Sequence, residues 1–476
     1  MTSTSTQSEA VLASNTVSTR PARAPRRSPH ELTFTLDEAV VEARASTEPE
    51  WLASDRRVAF ARYRTLPIEA NQLYTTYVDL RTADLAEVVP WDPLPTSQDT
   101  GAYDLISDIS GRLFFSGRGL ATRALSEEAR HSGVVIEPLD VAISEHPDLA
   151  RGLVASEATL PLDDKLAQLT RAGWNQGILV HVPAGVRLKE PILLRWAVGV
   201  SGDALLTRTI VSLGEGASAA IVEELEPFHP GEIADSRQGL FTGSLEVHLA
   251  AGAELRMASI QNLSRQTVVF QHRQAEIGEG ASLHWALAQL GSRLVRSRVD
   301  NRLVGDRSSV EQVEIVFGGE DQVFDLTSYT RHLGRDTTGN LLSKGALLDR
   351  ARSYMKGLIT IEKSAVGTDS FLGEFGMNLS KATRAVAIPS LEIDQPDCRR
   401  AAHSSSVGPI DANQLFYLES RGIAPDEARK FIVLGFLEPV VARVPLEAAQ
   451  ERLRELLEAK WAAGSDGTAG SAGAAA

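Results

Sequence analysis

The chain has 476 residues, 43% hydrophobic and 23% charged, with a formal net charge of −14. That length can bury a large core, and the composition is ordinary for a globular protein. The acidic balance, with no basic run in the body of the chain, excludes a nucleic-acid-binding surface, and no apolar stretch is long enough to span a bilayer.

Residues 1–31 are rich in Ser, Thr and Ala and carry Arg20, Arg23, Arg26 and Arg27. They lack an apolar centre, so they read as a disordered tail rather than a secretory signal; an organelle transit peptide has a similar composition. Residues 32–173 read as a mostly helical domain. Spaced apolar residues over Leu36 to Ala45 and Trp51 to Leu66 predict two helices, the second ended by Pro67. Asp108 to Ile136 mixes strand and helix signals, and Pro147 to Gly173 is helical again.

The texture changes to short alternating runs punctuated by Gly over residues 174–408, predicted as a β-helix core. Four segments align on Gly185, Gly216, Gly252 and Gly280, spaced by 31, 36 and 28 residues, and Leu303-Val-Gly-Asp-Arg-Ser-Ser is a weaker fifth. Each repeat has a turn relieved by Gly and then alternating apolar and polar residues. A single rung of this kind cannot bury its apolar face, whereas stacked rungs bury a continuous column. A β-sandwich is the structural alternative.

Residues 409–461 return to helix. Asp411 and Gln414 form a capping-box pattern opening Ala412 to Ser420, and Gly422 closes it. Pro425-Asp-Glu opens a second helix, whose apolar face is predicted as Ala428, Phe431, Ile432, Gly435 and Phe436. A third helix follows Pro445, lined by Leu446, Leu453, Leu457 and Trp461. The Ala/Gly/Ser-rich residues 462–476 read as a second tail.

The most informative segment runs from Pro389-Ser-Leu-Glu-Ile through Asp397, His403-Ser-Ser-Ser-Val-Gly, Asp411, Gln414-Leu-Phe-Tyr-Leu and Ser420-Arg-Gly-Ile to Glu427-Ala-Arg. With Asn378-Leu-Ser-Lys-Ala and Gly177-Ile-Leu-Val-His-Val-Pro-Ala-Gly-Val, it resembles the SufB/SufD family of iron–sulfur cluster assembly proteins. Leu415-Phe-Tyr-Leu-Glu-Ser-Arg-Gly-Ile is more similar to the D-type subunit. The Trp-Arg-Tyr-Thr-like element expected near Leu73-Tyr-Thr-Thr-Tyr is not evident.

The resemblance implies a right-handed parallel β-helix between N- and C-terminal helical domains. It implies a non-enzymatic scaffold that pairs with the B-type paralogue (SufB) and docks SufC, an ABC-type ATPase, through its C-terminal helices. Phe431, Ile432 and Phe436 are the docking candidates. A homodimer in isolation is a further expectation. No cofactor is expected to be bound permanently; a transient cluster or iron would sit at the interface with the B-type subunit, with His403 as the ligand carried over from the family motif. Read without the family, the residues favour a hydrogen-bonded structural role for His403 over a ligand.

Cys398 is the only cysteine, so an intrachain disulfide framework and a four-cysteine cluster site within one chain are both excluded. A reducing, cytoplasmic compartment fits. Cys398 is an interface candidate beside Arg399 and Arg400, which favour a thiolate; an inert buried thiol is the other reading. In a regular strand Cys398 and His403 would point apart unless a turn intervenes. No Gly-x-x-x-x-Gly-Lys-Ser/Thr loop is present, so ATP hydrolysis belongs to a partner. His248, His272 and His284 read as strand-face residues. Two alternatives stay open: the B-type scaffold, which a lone cysteine disfavours, and a β-helix carbohydrate-active enzyme using Asp394 and Asp397.

Overall fold

A computed structural model describes residues 27–90, 104–106, 108–116, 119–154, 161–198, 201–227 and 237–469. Residues 1–26 of the predicted N-terminal tail and 470–476 of the predicted C-terminal tail lie outside these residues. Residues 27–31 pack on the N-terminal domain, where Pro29 O accepts from Leu80 N.

The core is a parallel β-solenoid of about eight turns. From Gln176–Val182 onward, successive strands alternate between a ten-stranded and an eleven-stranded sheet. Each of these strands therefore pairs with the strand two places on, in parallel register, as in Leu294↔Val323↔Arg352↔Arg384. Register of this kind stacks like side chains into columns, because alternate residues of every strand share a face.

The repeat glycines explain how the chain turns. Gly185, Gly216, Gly252 and Gly280 all have positive φ, between 61° and 72°. Each donates its N–H to the next corner: Gly185 to Glu215 O, Gly216 to Ala251 O and Gly252 to Glu279 O, at 2.8–2.9 Å. The column continues through Arg307, Asp336 and Gly367, with φ of 57°, 54° and 75°. Arg307 is the corner of the weak fifth repeat, and Asp336 carries a corner with no sequence signal.

Three apolar layers result. The lumen holds Trp196, Trp285, Leu283, Val295, Phe324 and Met355 from both sheets. The outer face of the ten-stranded sheet lies under the N-terminal helices Glu38–Ala45, Glu50–Thr65 and Lys165–Gly173. The outer face of the eleven-stranded sheet lies under Pro425–Val441 and Glu447–Ala469. The strands 111–116, 119–126 and 135–138 close the first rung, matching the mixed signals of that region.

Charged side chains bind the N-terminal domain to the solenoid. Arg296 bridges Glu69 at 2.6 Å and Asp325 at 3.0 Å, and Lys356 pairs with Asp325. Asp164 caps Lys165–Gly173 and meets His272 at 3.1 Å and Arg298 at 3.2 Å. Burial alone would raise the Asp164 carboxyl, but His272, Arg298 and Arg296 hold it well below the usual carboxylate range. His248, His272 and His284 all lie on strands. Tyr74, from the segment that lacked the expected motif, is fully buried and packs 6.2 Å from the Tyr329 ring.

Two C-terminal expectations change. The face of Pro425–Val441 that packs on the sheet is Ala428, Val433, Leu437, Val440 and Val441, so Phe431 points outward. The predicted stripe shares only Ala428 with this buried face; Phe431, Ile432 and Phe436, the docking candidates, are not fully buried. The last helix runs to Ala469, past Ala462 where the sequence-based tail begins. Its buried residues include Leu453 and Leu457, as predicted.

Candidate functional site

The solenoid ends differently from how it begins. Strands Arg384–Ile393 and Arg400–Gly408 form the last rung, and neither contains a fully buried residue. Each is also the terminal strand of its sheet, so one side of its backbone has no strand partner among the described residues. The end is an open edge and an open mouth together.

His403 sits in this mouth. It pairs in register with Leu372, which follows the column Trp285, Gln312, Leu341. Leu341 and Leu372 are buried in a lumenal cluster with Ile359, Ile361 and Ala365. Parallel register puts His403 on the same lumenal face, yet it is exposed because no further rung covers it. The next lumenal column runs Glu314, Ser343, Glu374, Ser405.

Cys398 lies in the 394–399 corner between the two final strands, not on a strand. It packs partly buried against the same lumenal cluster as Leu391 and Ala401. The corner is the intervening turn that strand parity required, so both candidates border one mouth. The flanking arginines are engaged elsewhere: Arg399 with Asp336 at 2.5 Å and Arg400 with Asp369 at 2.7 Å.

Glu374 is the residue that sequence reasoning missed. It is 1% exposed, and its Oε2 accepts the Ile388 N–H at 2.8 Å. Burial pushes its carboxyl up to about 8, with the Ile388 bond acting against that rise. Alternation in Ser370-x-Leu372-x-Glu374 was the available signal, since it puts a carboxyl on the same strand face as Leu372.

Deeper in the lumen lies a sealed polar cluster. Arg273 reaches Ser259 at 3.0 Å and Glu223 at 3.9 Å, while Ser297 and Gln289 donate to Glu314 at 3.1 and 3.3 Å. Burial raises the Glu314 carboxyl and lowers the Arg273 guanidinium.

The C-terminal helices carry a second exposed feature. Phe431 is 64% exposed, Ile432 is half-buried, and Phe436 is tied inward, its ring 4.7 Å from Lys344 Nζ. Phe416 and Tyr417 on helix Ala412–Ser420 are 71% and 57% exposed; from sequence they stood only as part of the family motif, without a docking role. Large aromatic groups left in water mark a contact surface.

A family described as "SUF system FeS cluster assembly, SufBD core domain" matches residues 197–436, half of the chain. The chain belongs to the SufBD family. It is 27% identical over 421 residues to the iron–sulfur cluster assembly protein SufD of Bacillus subtilis, covering 87% of this chain and 94% of that protein. An iron–sulfur cluster assembly SufBD family protein of Staphylococcus epidermidis is 27% identical over 331 residues, 69% of this chain and 70% of the relative. One from Staphylococcus aureus is 26% identical over 422 residues, covering 86% and 89%. The SufBD match contains the open rung, His403, Cys398, the exposed Phe416, Tyr417 and Phe431, and Phe436. No described helix is long and apolar enough to cross a membrane.

Proposed function

We propose that this chain is a non-enzymatic, D-type scaffold subunit of iron–sulfur cluster assembly that pairs with a B-type paralogue through its last rung. The open rung carries the reading. One side of each terminal strand has no strand partner among the described residues, and an antiparallel edge-to-edge junction with a second solenoid would supply one. Such a junction would enclose His403 and supply ligands that this chain lacks. A neutral imidazole suits iron, and a site shared between chains needs few donors from each. The cluster or iron is then cargo passing through the interface.

Docking of an ABC-type ATPase is assigned to the C-terminal helices, with Phe431, Phe416 and Tyr417 as anchors and Ile432 at the margin. Phe436 supports that surface from beneath. Movement of these helices on ATP turnover would be felt at the solenoid, because Lys344 on strand Thr338–Leu347 donates to Phe436 O at 3.0 Å. A reducing cytoplasm would keep the free Cys398 thiol available.

Co-expression with the B-type paralogue and the ATPase tests the reading, followed by anaerobic cluster reconstitution with and without His403→Ala. A ternary complex whose cluster yield falls in the variant supports it. Absence of any complex sinks the scaffold reading, and an unchanged yield removes His403 from the site.

A further inference from the structure

We propose that Glu374 is a second cation donor at the solenoid mouth, acting with His403 on a divalent first-row metal ion of the iron type. The inference deepens the scaffold reading and rests on it. Glu374 and His403 lie on adjoining strands, and their ladder partners are Ser405 and Leu372. They are therefore diagonal neighbours on one lumenal face, within reach of each other's side chains.

The surroundings of Glu374 do not suit a purely structural role. Its Oε1 lies against Gly357 and its Oε2 against the Ile388 N–H, with no cationic side chain paired to either oxygen among the described residues. Ile388 N–H is its one hydrogen bond among the described residues, and it occupies Oε2. A buried carboxyl with so little compensation opposes folding, and an apolar side chain of similar size would fit better. Across the lumen, strand Arg352–Ile361 places a glycine at 357. A Cβ there would stand 2.9 Å from Glu374 Oε1 and 2.5 Å from Leu372 Cδ2. The missing side chain is what lets the carboxyl lie in the lumen.

An imidazole nitrogen and a carboxylate oxygen make a donor pair suited to Fe2+, Co2+ or Zn2+. Two donors from one chain leave the remaining coordination positions for the partner across the open edge. Ser405, the neighbour of Glu374 on the last rung, is exposed, so the column of Glu374 ends at the opening.

The test uses the full-length chain, metal-free and reduced, with Co2+ as an absorbing probe. The wild type should bind Co2+ at a site that His403→Ala and Glu374→Gln each weaken at least tenfold. Glu374→Gln keeps an acceptor for Ile388 N–H, so its metal-free Tm should equal or exceed that of the wild type. Unchanged Co2+ affinity in Glu374→Gln overturns the proposal, as does absence of Co2+ binding by the wild type. A lowered metal-free Tm also overturns it by marking Glu374 as a strut. Loss in Glu374→Gln without loss in His403→Ala overturns the pairing of the two donors. Co-purification with the B-type paralogue, measured in parallel, reports on the scaffold reading separately.

Discussion

The middle rungs and the last rung are built from the same repeat but live in different surroundings. In the middle, helices cover both outer faces and neighbouring rungs cover both edges. Trp285, 1% exposed, donates to Asn301 Oδ1 at 3.0 Å inside that sealed space. On the last rung the same lumenal face ends in exposed His403, Ser405 and Val407. A solenoid is stabilised by nearest-neighbour stacking, so its final rung has half the stacking of the others. The repeat that gives stability in the interior therefore leaves an edge without a strand partner at the terminus, among the described residues.

Large-to-small substitutions break this comparison most directly. Trp285→Ala should cost about 3–5 kcal/mol in chemical denaturation, the range for deleting a buried aromatic side chain. Val407→Ala on the open rung should stay within about 0.5 kcal/mol. Equal losses would mean that the last rung is as tightly packed as the middle.

The sealed polar cluster gives the next largest effect. Arg273→Met leaves Glu223 and Glu314 buried without their cation, which should cost about 3 kcal/mol at neutral pH. Glu314→Gln should cost less than Arg273→Met, because the amide oxygen still accepts from Ser297 and Gln289 while burial no longer opposes a charged carboxylate there. A large loss in Glu314→Gln would show that the Arg273 pairing outweighs burial.

A pH measurement sharpens the contrast at the C-terminal helices. Lys460 donates to Leu290 O and to Gln322 Oε1 at 2.8 Å, pinning helix Glu447–Ala469 to two rungs. Burial pushes its ammonium down to about 7, with Arg265 adding to that and Glu320 opposing it. Between about 7 and the ordinary value of 10.5 the unfolded chain binds more protons than the folded one. Stability should rise with pH across that window through this group. Lys460→Met should flatten the rise in a Tm-against-pH series, and an unchanged slope would assign it to other groups.

The smallest stability effect is expected at the exposed aromatics. Phe431→Ala should alter stability by no more than about 0.5 kcal/mol while weakening ATPase co-purification. A large stability loss would instead place Phe431 in the fold's own core.

Much of this architecture was legible in the sequence, for particular reasons. Gly185, Gly216, Gly252 and Gly280 revealed the solenoid because a left-handed corner favours glycine. Further along, Arg307 and Asp336 adopt the same backbone, so the repeat faded in sequence while the structure continued unchanged. Asp411 was legible as a cap, and it accepts the Asn413 N–H at 2.8 Å. The packed face of Pro425–Val441 was not, because a short helix rich in apolar residues on several sides does not declare which side meets the sheet. His403 was legible only through the family motif. Its lumenal orientation, and the presence of Glu374 beside it, depend on parallel register between residues about thirty positions apart. No local pattern encodes that register.

Hydrogen exchange on the chain alone and with the B-type paralogue tests the central claim that the last rung is the docking edge. The account predicts that amides of Arg384–Ile393 and Arg400–Gly408 exchange fast in the free chain and become strongly protected in the complex, while middle rungs such as Leu294–Leu303 are protected in both. A complex that forms with those two strands still exchanging freely would contradict it.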